Sequence, residues 1–268
     1  MAMVMATAMV MDMAMDMAMA AAENMVMANQ LIDIHTHILP GLDDGAEKWK
    51  DALAMARMSV KAGVGVVLAT SHSRERGRES AEYLVRYVRT LNRFRSLLAE
   101  YQIPLQIGAG MEIMADGHVA ERLDAGEVLT LNKTRYALVE FELDSPVQLI
   151  YRELDRLLDR GYVPVVAHPE RYHCITRSVE DAAIWTEMGA LLQINKGSIL
   201  GGFGREIQTN ADQLLRMGIV YALASDAHRP YIRTPDIREL IEVLHTDYGE
   251  NAVKMLLHDN PAAILLGK

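Results

Sequence analysis

Histidines and carboxylates recur in this sequence at short, repeated spacings. His35 and His37 stand two apart in Ile32-Asp33-Ile34-His35-Thr36-His37, at the end of an apolar run. Alternation along a strand puts both imidazoles on one face, a chelating arrangement for a metal ion. One such pair is a weak signal, but the pattern returns where Asp226 and His228 flank Ala227 after the apolar run 220–224. His72, Glu112, Glu140 and His168 close other apolar runs, and Pro169 fixes a turn after His168. A buried acid at a strand end is costly unless paired, so bound cations explain Glu112 and Glu140. Asp44, within Gly41-Leu42-Asp43-Asp44-Gly45, reads by itself equally well as a turn acid or a helix N-cap. Its company makes it a ninth candidate ligand.

Nitrogen and oxygen donors without thiolate suit Mn, Fe or Zn. A cluster of such ions acidifies water and clamps phosphoryl oxygens, so hydrolysis needs no protein nucleophile. Arg171, in His168-Pro169-Glu170-Arg171, and Arg233, five residues after His228, follow ligand-bearing runs and suit bidentate contact with phosphate oxygens. The alternative for each is a surface salt bridge. A cysteine nucleophile is disfavoured because Cys174 has Glu180 six residues on, where a phosphate-cradling loop needs Arg. Gly197-Ser198 is not a nucleophile elbow, and with Asn195 it is expected to shape a loop. His118, His173, His245 and His258 lack a partner ligand at strand spacing, which predicts solvent exposure or local hydrogen bonding. Met55 and Met58 read as core.

Seven runs must position these residues as strands: 31–37, 65–72, 104–113, 136–142, 163–168, 190–195 and 220–228. Amphipathic stretches at 49–62, 83–101, 147–160 and 181–188 lie between them. This alternation predicts an α/β fold of parallel strands with crossover helices. A barrel fits better than an open doubly wound sheet, because nearly every run ends in a chemically capable residue and no Gly-rich phosphate loop follows the first. The 268 residues suffice for such a barrel, and no repeat or linker divides 31–268, which predicts one domain there. Residues 1–30 alternate Met and Ala, lack Lys and Arg, and are interrupted by Asp12, Asp16 and Glu23. Neither a secretory signal nor a membrane span fits, so a disordered low-complexity extension is expected, with Met25 or Met27 as an alternative start.

A content of 50% hydrophobic and 24% charged residues argues against wholesale disorder. The net charge of −9 argues against a general nucleic-acid surface. The single cysteine excludes a disulfide framework and predicts the cytoplasm, with no membrane insertion.

Together, the motifs around His35, Asp44, Glu112, His168 and Asp226, with Gln193-Ile194-Asn195, resemble the bacterial capsular and exopolysaccharide tyrosine-protein phosphatases of the polymerase and histidinol phosphatase (PHP) superfamily, over residues 31–266. The resemblance implies a distorted (β/α)7, TIM-like barrel of the PHP type, and three divalent metal ions, manganese foremost with Fe or Zn as alternatives. It implies His35, His37, Glu112 and Asp226 around the first ion. Glu112, Glu140 and His168 would hold the second, and Asp44, His72 and His228 the third. Arg171 and Arg233 match phosphate-binding arginines, which with Asp226 would be catalytic. The implied substrate is the phosphotyrosine tail of a membrane-associated bacterial tyrosine kinase that governs capsular polysaccharide synthesis.

One departure is Arg74-Glu75-Arg76-Gly77-Arg78 after His72, which reads either as a recruiting mouth for an acidic phosphopeptide or as a solvated loop. The rival readings are a PHP phosphatase of a small metabolite such as histidinol phosphate, a metal-dependent amidohydrolase, and a non-catalytic kinase-binding regulator. The amidohydrolase would have eight strands and lacks the late Asp-Ala-His pair. A helical surface at 236–245 leaves a homo-oligomer open.

Overall fold

The apolar runs form short parallel strands: β1 (Leu31–Thr36), β2 (Val64–Ala69), β3 (Gln106–Ala109), β4 (Glu112–Met114), β5 (Tyr136–Glu140), β6 (Val163–Ala167), β7 (Leu191–Asn195) and β8 (Val220–Ala224). The computed structural model describes residues 30–73 and 81–268. Residues 1–29 of the Met/Ala extension and the charged run from Arg74 to Arg78 lie outside the described residues. β2 reads VGVVLA and is buried throughout, as a parallel strand covered on both faces requires. Helices Trp49–Lys61, Ala81–Glu100, Val147–Asp159 and Glu180–Met188 fill the four amphipathic stretches. Met55 is fully buried in the core, whereas Met58 is only partly buried. No helix among the described residues is long and apolar enough to cross a membrane.

The strands lie in two sheets, β1-β2-β3 and β4-β5-β6-β7-β8. The third predicted run is therefore two strands, and eight are described where seven were expected. The break falls at Gly110, whose N–H donates to the Tyr87 hydroxyl at 3.1 Å instead of to a strand. That hydroxyl donates in turn to the Ala69 carbonyl at 2.7 Å. The chain thus leaves its pairing with β2 and starts afresh beside β5, so Glu112 opens β4 rather than closing a strand. Likewise β2 stops at Ala69, and His72 lies beyond it in an isolated parallel bridge to Glu112.

Both sheets meet at two places. His72 bridges Glu112, and Thr36 bridges Ala227, where the His37 N–H donates to the Ala227 carbonyl at 2.8 Å and the Asp226 N–H to the His35 carbonyl at 2.9 Å. A small apolar cluster, including Ile32, Ile34, Val66, Leu68, Leu138, Ala222 and Ala224, packs with Ala262, Ile264 and Leu265 of the terminal helix Asn260–Leu266. Leu138 is followed two residues later within β5 by Glu140, so one face of that strand carries both apolar packing and chemistry. β1 departs from this period: its register against β2 shifts between Asp33 and Thr36, and Ile32 and Ile34 are followed by ligand candidates of opposite parity, His35 and His37.

Tyr172 repeats the Tyr87 device, accepting from the Phe141 N–H at 3.1 Å and donating to the Ala167 carbonyl at 2.7 Å. Both tyrosines are fully buried, so water cannot replace the hydroxyl. Tyr87→Phe is expected to leave the Gly110 N–H and Ala69 carbonyl unsatisfied and to lower stability by about 1–3 kcal/mol. Urea denaturation measures this; an unchanged midpoint would count against the hydroxyl as the strand-break anchor.

Candidate metal centre

The Thr36 to Ala227 bridge sets the pair His35/His37 beside the pair Asp226/His228, so two distant motifs become neighbours. His35 Nε2 lies 3.3 Å from His37 Nε2, 3.3 Å from Glu112 Oε2 and 3.5 Å from Asp226 Oδ1. His37 Nε2 lies 3.2 Å from Glu112 Oε2 and 3.4 Å from Asp226 Oδ1. Three of these donors, His35 Nε2, His37 Nε2 and Glu112 Oε2, stand 3.2–3.3 Å apart, a spacing that lets one divalent ion lie about 2 Å from each, the bond length to nitrogen or oxygen. This donor set therefore fits a cation.

Two further groups adjoin the first. Glu112 Oε1 meets His168 Nε2 at 2.8 Å, while His72 Nδ1 lies 3.2 Å from Glu112 Oε2 and 2.8 Å from Glu140 Oε1. Asp44 Oδ1 faces His72 Nε2 at 3.5 Å and His228 Nε2 at 3.4 Å, with His37 close enough to share that group. Seven of the nine sequence-predicted ligands fall in three compact groups: His35, His37 and Glu112; His72, Glu112 and Glu140; and His37, Asp44, His72 and His228. His168 and Asp226 adjoin them through Glu112 and His35, so His72 rather than His168 completes the group with Glu140. The cluster is dry at His35 and His37 and opens at Asp44, whose side chain is 61% exposed.

Burial works against charge throughout this cluster. Against it, the Glu112 and Asp226 carboxylates hold His35 above its usual pKa, and Asp43 does most to hold His37 well above. Burial also opposes protonation of His72, yet Asp44, Glu112 and Glu140 raise it to about 11. The imidazoles correspondingly hold Glu112 and Asp226 well below the carboxylate range, His35 foremost among them, despite their burial.

Sequence reasoning did not assign roles to several supports. Asp43 Oδ2 takes His37 Nδ1 at 2.8 Å and the His72 N–H at 3.0 Å, leaving His37 Nε2 free for a cation. Its neighbourhood in Gly41-Leu42-Asp43-Asp44-Gly45 was the available signal. Gly45 is required here, since a Cβ would fall 2.1 Å from the His37 carbonyl oxygen. Gln193 Oε1 takes His35 Nδ1 at 2.7 Å, and Gln193 Nε2 donates to Asn195 Oδ1 at 2.9 Å. Asn195 Nδ2 then donates to Asp226 Oδ2 at 2.5 Å. Two amides in the buried strand LLQIN were the clue.

Arg233 donates from its terminal nitrogen to Asp226 Oδ2, a buried carboxylate rather than a surface one, and its buried Nε finds no acceptor among the described residues. The Arg171 guanidinium lies 4.9 Å from the Phe203 ring centroid, and that of Arg233 lies 5.7 Å from the same ring. His118, His173 and His245 are exposed, and His258 Nδ1 bonds the Gln30 carbonyl at 3.1 Å. Burial pushes the Cys174 thiol up, away from the reactive thiolate.

Asp43→Ala is expected to weaken Mn binding by about 10- to 100-fold, as loss of a partner to a ligating histidine does. Titration calorimetry of metal-stripped protein measures it, and unaltered affinity would remove the supporting role of Asp43.

A family model described as capsular polysaccharide synthesis, CpsB/CapC, matches residues 31–266. The tyrosine-protein phosphatase YwqE of Bacillus subtilis is 34% identical over 226 residues, covering 84% of this chain and 88% of the relative. The tyrosine-protein phosphatase CpsB of Streptococcus pneumoniae is 30% identical over 241 residues, covering 88% and 98%. Solved structures of these two proteins, described as unique metal-dependent tyrosine phosphatases, provide a match with a TM-score of 0.83 at 32% identity, over 89% of this chain and 95% of the matched one. This chain belongs to the CpsB/CapC capsular polysaccharide synthesis family.

Proposed function

We propose that the chain is a metal-dependent protein-tyrosine phosphatase, formed by one domain over residues 31–268 whose strands close as a distorted (β/α)7 barrel, β3 and β4 following one another in one run and sharing one strand position. The two bridges between the sheets support closure. The observation that carries the activity is the convergence of His35, His37, Asp44, His72, Glu112, Glu140, His168, Asp226 and His228 at one rim. The three adjoining groups favour three divalent ions, and five imidazoles with four carboxylates make a mixed nitrogen and oxygen set that suits Mn, Fe or Zn, with manganese foremost on the family resemblance. Such ions supply Lewis acidity, acidifying water and neutralising phosphoryl charge.

The chain's own residues bind and orient. Asp226 presents Oδ1 to His35 and His37, while its Oδ2 orders Arg233 and Asn195. The unpartnered Nε of Arg233 and the guanidinium of Arg171 are suited to peripheral phosphoryl oxygens. A tyrosyl leaving group has a pKa of about 10, so it departs with less help from a protein acid than an alkoxide would. The exposed lip at Asp44 suits a protein-borne phosphate better than a small enclosed metabolite. On this reading the partner is the phosphotyrosine tail of a membrane-associated bacterial tyrosine kinase, met in the cytoplasm and tied to capsule or exopolysaccharide biosynthesis.

Manganese-loaded protein is expected to show a higher kcat/KM on phosphotyrosyl peptides than on histidinol phosphate; the reverse order would turn the reading toward a small-metabolite phosphatase. His35→Ala and Asp226→Ala are expected to abolish turnover with the far-ultraviolet spectrum retained, and full activity in both would remove the assigned site. Arg171→Ala and Arg233→Ala are each expected to lower kcat/KM by about 10²–10³, the scale for losing one preorganised charge contact.

A further inference from the structure

The segment leaving β7, residues 195–203, holds no member of the three ligand groups, yet it touches both turns that carry the arginines. Arg171 ends the short helical turn Pro169–Arg171, whereas Arg233 sits in the loop beyond β8. Each turn is fastened to this segment separately.

The Arg171 turn is held through Glu170, which is fully buried. Its Oε1 accepts from the Asn195 N–H at 3.1 Å and from Ser198 Oγ at 2.5 Å. The Arg233 loop is held through Lys196, a buried lysine whose ammonium donates to the Thr234 carbonyl and, at 3.1 Å, to the Asp236 carbonyl. These two carbonyls flank Pro235, one and three residues after Arg233, so the amine fixes the loop just past the guanidinium. Desolvating a lysine for two neutral backbone acceptors is costly, which argues that the fastening is specific rather than incidental.

Phe203 completes the arrangement. Both guanidiniums lie within cation–π range of its ring, at 4.9 Å and 5.7 Å. The ring also packs on Gly197, where a Cβ would lie 2.8 Å from Phe203 Cε2. Two like charges brought to one place repel, and the face of an aromatic ring offsets part of that cost without supplying a carboxylate that would compete with a phosphoryl group. Among the described residues, no carboxylate pairs with Arg171, so the Phe203 ring is the contact that anchors it.

We propose that Lys196 and Phe203 are positioning residues that aim Arg233 and Arg171 at the phosphoryl group, independently of metal binding. This rests on the reading of the two arginines as phosphate-binding. The test uses the manganese-loaded full chain, with inorganic phosphate as a competitive inhibitor and phosphotyrosyl peptide as substrate. Phe203→Leu, Phe203→Ala and Lys196→Met are expected to raise the phosphate Ki and the peptide KM about tenfold, with bound manganese per chain unchanged. Phe203→Tyr keeps the ring and is expected to restore the parent Ki, which a role in simple space-filling would not demand. Gly197→Ala should behave like Phe203→Ala by displacing the ring.

Arg171→Ala and Arg233→Ala in the same assay separate the two levels. An unchanged Ki in both would overturn the phosphate-binding reading itself. A raised Ki in the arginine variants, with parent values in Phe203→Leu and Lys196→Met, would overturn only the positioning role. Loss of manganese from Phe203→Leu, or Phe203→Leu behaving as Phe203→Tyr, would also overturn it.

Discussion

Opposite charges buried at one rim must compensate each other, and the rest of the molecule is arranged around that requirement. Glu112 and Asp226 are 1% and 2% exposed, where an unpaired carboxylate costs several kcal/mol. His35, His37 and His72 beside them are held above their usual pKa by these and neighbouring carboxylates, and Glu112 and Asp226 are held below theirs in return. His228 goes the other way, kept below its usual pKa by burial and by the nearby His37. Protons and divalent cations compete for the same lone pairs. A site balanced by protons is thus preshaped for cations, with spacings already near those that coordination requires.

The fold meets this requirement by delivering donors from strand ends and holding each from behind. β7 gives no ligand, yet it closes a circuit: His35 to Gln193, Gln193 to Asn195, Asn195 to Asp226, and Asp226 back to His35. The circuit fixes which nitrogen of His35 faces the rim, because Nδ1 is engaged by the amide oxygen and Nε2 remains. Asp43 does the same for His37. A strand without a ligand is therefore as necessary as those with one.

The ligand candidates were legible because burial makes strand-end histidines and acids conspicuous against apolar runs, as in VYALASDAH. Element types were legible for the same reason, since period and length separate strand from helix. The break at Gly110 was not, because it depends on a tyrosine hydroxyl 23 residues away in sequence taking one N–H out of the ladder. Asp43 was passed over because its neighbour Asp44 explained the motif equally well, and only the fold shows which acid reaches which histidine. Phe203 carried no local signal at all: a phenylalanine among glycines reads as a loop, and its meaning comes from two distant guanidiniums.

Asp226 joins the two halves of the chemistry. One oxygen faces the histidines and the other faces Arg233, so charge gathered on one side changes what the other side sees. Asp226 and Arg233 both adopt left-handed backbone angles, with φ of 48° and 49°, as does His168 at 37°. Such angles cost a non-glycine residue of order 1–3 kcal/mol and persist only where neighbours over-determine them. Here they do: the Asp226 N–H is held by the His35 carbonyl, and the His228 N–H by the Arg233 carbonyl. An arriving phosphoryl group would find Arg233 already oriented by Asp226, with its Nε unspent. Asp226 thus joins the histidine cluster to the anion-binding side through a single side chain, and the hydrogen bonds at its own N–H and at the Arg233 carbonyl hold that geometry against the backbone strain.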